Sequence, residues 1–178
     1  MKKVNRLPLL LAALALVISV RVTAVQAQIT RAADYDQKLE AAQLMQDCMD
    51  EIRKCKETVG LTVSEEDIHH TGLIGAPYTM VTTTLGVLEA KRTTANPDMA
   101  ALCIQLLSEA GVQPGDRVGL AFSGSFPGLN LAVLSACAVM NVDLVYISSA
   151  GASTYGANQP ELTFPEMADH RSLNEVEQ

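Results

Sequence analysis

The chain has 178 residues, the usual size of one compact domain and too few for two large ones. Apolar residues make up 48 % and charged residues 19 %, a balance that excludes an intrinsically disordered chain. The formal net charge of −7 argues against a nucleic acid partner, and any polyanion must be held by a local cluster of donors.

The first 27 residues have the pattern of an export signal. Lys2, Lys3 and Arg6 precede an apolar run over residues 7–20, which Arg21 ends, and a small-residue exit follows at Val25-Gln26-Ala27. The pattern predicts either a cleaved signal peptide, which leaves a secreted or periplasmic protein, or a retained membrane anchor that faces outside the cytoplasm. Removal of this segment takes away four basic groups and no acidic ones, which lowers the net charge from −7 to −11.

Residues 32–58 carry apolar residues at three- and four-residue steps, which predicts a helix. Cys48 and Cys55 would lie about 10.5 Å apart along its axis, too far for a disulfide. We interpret all four cysteines as small buried residues, with two disulfides as the alternative in an exported protein.

The adjacent His69 and His70 point in different directions in any regular structure, so they are poorly placed to share a metal ion. The sequence therefore predicts no metal site and no cofactor.

Residues 71–95 are rich in glycine and threonine. Three consecutive hydroxyl side chains come from Thr82, Thr83 and Thr84. Lys91 and Arg92 add two cations a short distance further on. Hydroxyl and guanidinium groups are common ligands of carboxylate and phosphate, so this stretch is a candidate anion site. The alternative is an edge strand, because threonine favours strands without any ligand.

The second half of the chain has the pattern of a strand, a helix and a second strand. A capped helix is predicted over residues 96–111, then a strand over 117–122, a helix over 129–140 and a strand over 144–147. Such a unit forms a parallel sheet with a right-handed crossover, and ligands bind at the carboxyl ends of its strands. The prediction is an α/β fold.

Two small-residue loops follow these two strands, over residues 123–128 and 148–153. Their candidate ligand-binding residues are Ser123, Gly124, Ser125, Ser149 and Ser153. Glycine permits close backbone approach, and the helix that follows presents unpaired N–H groups to an anion. Ser123 or Ser125 is also a candidate nucleophile, which would need a base from His69, His70 or His170. The remaining possibility is that these residues only form tight turns.

Six segments in fixed order carry a resemblance to a known family. They are TGLIG from residue 71, TTTLGVLEAKRT from 82, NPDMAAL from 96, GDRV from 115, SGSFPGLN from 123 and SSAGASTYGAN from 148. Together they resemble the poly-gamma-glutamate system protein family over residues 35–167. Members of that family have an N-terminal membrane-targeting segment and accompany the membrane components that make and export the polymer.

The resemblance implies an accessory component of poly-gamma-glutamate synthesis or export at the outer face of the membrane. Its partners would be the membrane components of the synthase and poly-gamma-glutamate itself, whose carboxylates the threonine, lysine, arginine and serine residues above would bind in one crevice. The alternative is a hydrolase or transferase that acts on the polymer's amide bonds with Ser123 or Ser125 as nucleophile. A scaffold without any ligand is a third possibility.

The expected organisation is a signal or anchor over residues 1–27, an α/β domain over 28–168 and a polar tail over 169–178. Family chains continue well beyond the last matching segment, so we expect a parallel-sheet, three-layer arrangement that is an incomplete doubly wound domain preceded by an N-terminal helix. A sheet of two or three parallel strands does not cover both of its faces, which predicts an exposed apolar face or a partner that covers it.

Overall fold

The computed structural model describes residues 7–26 and 31–169 and divides the chain into two compact units, residues 1–33 and 34–178. The first unit contains helix α1 (Leu7–Gln26). Within the described ranges, no helix combines the length and the apolar character that a membrane crossing requires. The predicted cleavage position after Ala27 and most of the predicted polar tail lie outside the described residues.

The second unit is mixed helix and sheet with short parallel strands, which confirms the α/β prediction. Its larger elements are α2 (Tyr35–Thr58), β1 (Thr82–Thr84), α3 (Leu88–Thr94), α4 (Asp98–Glu109), β2 (Arg117–Phe122), α5 (Pro127–Val139) and β3 (Asp143–Ser148). Four short elements complete it: β4 (Ala152–Ser153), β5 (Asn158–Gln159), β6 (Leu162–Thr163) and α6 (Phe164–Ala168).

The strands form three separate pairs. β2 and β3 are parallel, from Arg117 opposite Asp143 to Phe122 opposite Ser148, and α5 is the crossover between them, as the sequence predicts. β1 and β4 are also parallel, whereas β5 and β6 form an antiparallel pair. Because β3 leads directly toward β4, the two parallel pairs bring residues 123–126 and 149–153 to neighbouring positions in the fold.

A single core joins α2, α4, α5 and one face of the β2–β3 pair. α2 buries residues at three- and four-residue steps, among them Met45, Met49 and Ile52, as the helical pattern predicts. The ring of Phe122 packs at 5.0 Å from that of Tyr146, between centroids, on the covered face of the strands. On the opposite face, within the described residues, the apolar side chains of Val145 and Ile147 are exposed beyond an ion pair of Arg117 with Asp143.

The four cysteines are buried and free, which agrees with their interpretation as small apolar residues. Burial is the main cause that raises the pKa of the Cys48 thiol to about 12 and that of Cys137 to about 11. Thiols with such a pKa are protonated at neutral pH and are poor nucleophiles. The cysteines therefore contribute to packing.

Candidate functional site

The two serine-containing loops meet at the carboxyl ends of β2 and β3. The Gly124 N–H donates to the Ser149 hydroxyl at 3.1 Å, and the Ser153 N–H donates to the Ser125 hydroxyl at 3.0 Å. The Ser123 hydroxyl accepts a hydrogen bond from the Ser125 N–H at 3.2 Å. The structure thus brings all five predicted loop residues together, and their hydroxyl groups hold one loop to the other.

Lys91 is the cation of this loop cluster. Only 2 % of the residue is exposed, and its ammonium group donates to the Ser125 carbonyl oxygen and, at 2.8 Å, to the Ser153 hydroxyl. The same nitrogen lies 4.4 Å from the centroid of the Phe126 ring. Burial lowers the pKa of Lys91. Its donors are engaged inside the protein, so Lys91 braces the loops from within.

The three threonines form β1, the alternative that the sequence left open. The Thr82 hydroxyl accepts hydrogen bonds from the Thr79 N–H at 2.8 Å and from the Asn158 amide at 3.0 Å. Thr83 and Thr84 follow in the same strand and are exposed. Thr82 therefore anchors β1 to the β5 segment.

Arg92 lies in a different place from Lys91. Its Nε donates to the Glu66 carbonyl oxygen at 2.8 Å, and its Nη2 donates to the Glu66 carboxylate at 2.9 Å. Lys91 and Arg92 follow one another in α3, and successive side chains of a helix point about 100° apart. The structure therefore separates the two cations that the sequence hypothesis combined in one crevice.

The Arg92 side chain lines a cleft of about 570 Å³. One wall is α2, with Met49 and Arg53, and the others are residues 68–71 and 92–97. His69 and His70 are exposed at this cleft. Two arginine and two histidine side chains thus line one cleft in a chain whose net charge is negative.

Arg53 is the second guanidinium group of the cleft. Its Nη1 donates to the His70 carbonyl oxygen at 3.0 Å, and its Nη2 donates to the Asp50 carboxylate at 2.7 Å. Asp50 also accepts from the Gln46 amide at 2.9 Å, so it is held on two sides. A carboxylate can approach the remaining N–H groups of Arg53, because a guanidinium offers five donors.

The buried carboxylate of Asp67 holds the loop that contributes residues 68–71 to the cleft. Asp67 is 2 % exposed and accepts hydrogen bonds from the Thr71 N–H at 3.0 Å and the Gly72 N–H at 2.7 Å. Two effects act on the pKa of buried Lys56. Burial lowers it and the nearby charge of Asp67 raises it, and because burial is the larger effect the pKa is about 8. His70 takes a left-handed conformation with φ of 51°. This support fixes residues 68–71 at the cleft.

Arg53 and Asp67 are not distinguished by the sequence. Arg53 stands on the charged face of a predicted helix, where nothing distinguishes it from its neighbours, and its role depends on a loop 17 residues further along the chain. Asp67 ends the acidic run Glu65-Glu66-Asp67, in which nothing marks it as a buried residue. A carboxylate followed by Thr71 and Gly72 was the available signal for a local hydrogen-bonded turn.

The two candidate nucleophiles lack the histidine base that the sequence hypothesis requires, as far as the described residues show. Within residues 31–169, neither Ser123 nor Ser125 has a histidine or carboxylate hydrogen-bond partner on its hydroxyl. His69 and His70 belong to the cleft, and His170 lies outside the described residues. Among the described residues, no group of three or more histidine, cysteine or acidic side chains is placed to hold a metal ion.

Comparison of the chain with protein-family models, with curated proteins and with solved structures found no match.

Proposed function

We propose that this protein is an accessory component of a poly-γ-glutamate synthesis or export system, acts outside the cytoplasm and binds the polymer's carboxylates. The observation that carries the binding function is the opening of Arg53 and Arg92 into one cleft. The six ordered segments that resemble the poly-gamma-glutamate system protein family support the choice of polymer, and the N-terminal pattern supports export. Its partners would be the membrane components of the synthase.

The chemistry of the polymer fits this cleft. Glutamate joined through its side-chain carboxyl leaves one free carboxylate on every unit, separated from the next by methylene groups and an amide. A guanidinium group binds a carboxylate through two parallel N–H donors, better than a lysine ammonium group does. The apolar surfaces of Ile68 and Pro97 in the same cleft would contact the methylene groups.

The charge of the protein makes local donors necessary. A net charge of −7 repels a polyanion at long range, so attraction must come from groups that touch the ligand. The two arginines meet that requirement because both are partly exposed, with side-chain accessibilities of 36 % for Arg53 and 22 % for Arg92. Binding should weaken with added salt, although less steeply than for a protein with an extended basic face.

A titration with a glutamate oligomer tests the proposal. The full chain is titrated by calorimetry beside the double variant Arg53→Met, Arg92→Met, which keeps most of the side-chain bulk. A charge-assisted hydrogen bond contributes about 1.5–3 kcal/mol, so the double variant should bind at least about tenfold more weakly. Arg117→Met is the matched control, because it removes one exposed cation from β2. An equal loss in the control, or no binding to the wild type, would refute the proposal.

The rival activity is hydrolysis or transfer at the polymer's amide bonds. Lys91 supports it in a form that differs from the histidine-dependent one, because its ammonium nitrogen lies 2.8 Å from the Ser153 hydroxyl and burial lowers its pKa. Polymer length measured by gel filtration after incubation separates the two functions. The enzyme would be favoured if the wild type shortens the polymer and one of the variants Ser153→Ala, Ser123→Ala or Ser125→Ala does not.

The resemblance also supports a finer fold proposal, a doubly wound domain with a third layer. That layer would lie on the face of the β2–β3 pair opposite α2, α4 and α5.

A further inference from the structure

The Glu66 carboxylate lies where a ligand carboxylate would bind Arg92. It accepts a hydrogen bond from Nη2 at 2.9 Å, while the second acidic neighbour, Glu89, is 3.7 Å from Nη1, too far for a hydrogen bond. Arg92 lines the cleft, and Glu66, which contacts Arg92, lies two residues before the segment 68–71 that also lines it. The protein therefore presents its own glutamate side chain to the guanidinium group that the proposed function assigns to glutamate units of the polymer.

The two arginines of the cleft differ in how firmly their carboxylates are held. Asp50 is fixed by Gln46 as well as by Arg53, and all three residues stand on α2. Within the described part of the chain, Arg92 is the hydrogen-bond partner of the Glu66 carboxylate. The Glu66 side chain is 47 % exposed, and an ion pair exposed to this extent contributes little to stability. The Glu66 carboxylate is the one that can leave.

Arg92 would keep its position after that departure. Its Nε donates to the backbone carbonyl oxygen of Glu66, which does not move with the side chain. An incoming carboxylate would meet an Nη2 donor that is already oriented, which lowers the ordering cost of binding.

We infer that Glu66 is an internal competitor for the Arg92 site, displaced by ligand carboxylates, and this inference rests on the proposed function. It also sets specificity. A neutral ligand forms a weaker hydrogen bond with Arg92 than the Glu66 carboxylate that it displaces. Displacement is therefore favourable only for ligands with a negative charge. Glu66 thus lowers affinity for the polymer and rejects uncharged amides.

The test compares Glu66→Gln with Glu89→Gln by calorimetric titration of the full chain with a glutamate oligomer. Both variants remove one negative charge near Arg92, but only the first removes a hydrogen-bonded carboxylate. Glu66→Gln should raise the affinity about three- to fivefold, and Glu89→Gln less than about twofold. In the Arg92→Met background the Glu66→Gln substitution should have no effect, which ties the competition to that guanidinium group.

The outcomes separate this inference from the proposed function. If the wild type binds and Glu66→Gln binds no more tightly than Glu89→Gln, the competitor role is overturned while carboxylate binding stands. If neither the wild type nor Glu66→Gln binds the oligomer, both are overturned. Glu66→Gln should also bind an oligomer whose carboxylates are converted to amides more tightly than the wild type does, because Glu66 no longer occupies Arg92. An equal affinity of the two proteins for that ligand would contradict the role of Glu66 in specificity.

Discussion

Lys56, Asp67 and Lys91 are charged side chains that are buried, and two of them support the candidate regions. Asp67 ties residues 71 and 72 into the turn beside the cleft, and Lys91 ties the two serine loops together. Charged groups are seldom fully buried unless they are paired or hydrogen-bonded. Each of these three forms such bonds, so removal of one would leave its partners unsatisfied.

Lys56 gives stability a pH dependence whose sign is fixed by its lowered pKa. The ordinary pKa of 10.5 falls to about 8 in the folded protein because burial disfavours the charged form. Between these values the unfolded chain binds more protons, so stability rises with pH through this window. Relative to Lys56→Met, the wild type should gain up to about 3 kcal/mol in free energy of unfolding from pH 8 to 10.5.

Urea unfolding of both proteins at about pH 7, 9 and 10 measures this difference. The comparison with Lys56→Met cancels the titration of the other lysines and the tyrosines. A difference that stays constant with pH would show that Lys56 does not lose its proton early.

At the scale of elements, the close approach of α5 to the end of α3 depends on Gly128. A Cβ atom added there would overlap the Thr94 carbonyl oxygen and lie 2.9 Å from the Ala95 Cα. Both are backbone atoms that cannot rotate away, so Gly128→Ala should destabilise the protein by about 1–3 kcal/mol.

Gly119 on β2 is the matched control, because an added Cβ there meets nothing within 4 Å. Gly119→Ala should be neutral or slightly stabilising, since glycine weakens a strand interior. Thermal unfolding followed by circular dichroism measures both variants. Equal melting temperatures for Gly128→Ala and the wild type would mean that α3 and α5 have room to separate.

The strand, helix, strand unit from β2 to β3 could be predicted because its apolar runs have the length of buried strands and glycine-rich turns bound them. The pairing of β1 with β4 could not, since strands of two or three residues carry no usable periodicity. α3 was not predicted, and this omission led to the crevice that combined Lys91 with Arg92. Once residues 88–94 are helical, the two neighbours must diverge.

At the scale of the whole molecule, the β2–β3 pair has one covered and one exposed face among residues 31–169. Val145 and Ile147 are 56 % and 75 % exposed, whereas Phe122 lies in the core. Parallel sheets are normally covered on both faces, which is why the sequence predicted either an exposed apolar face or a partner. Within residues 31–169 the face is exposed.

This arrangement predicts that substitutions on the covered face lower the free energy of unfolding more than substitutions on the exposed face. Phe122→Ala should lower the free energy of unfolding by about 3–5 kcal/mol, because it removes a buried ring that contacts Tyr146 and Phe164. Ile147→Thr should change it by less than about 0.5 kcal/mol, as is usual for exposed positions. Urea unfolding of the two variants measures the difference, and a large loss for Ile147→Thr would mean that the face is covered in solution.

The position of the bound polymer on the molecule decides between the cleft and the serine loops. Amide hydrogen exchange of the full chain, with and without a saturating glutamate oligomer, measures it by mass spectrometry. Binding in the cleft predicts slower exchange in peptides that cover residues 64–72 and 92–98, with no change over 123–126 and 148–153. Slower exchange confined to the two serine loops would contradict the cleft and return the binding site to the crevice that the sequence predicted.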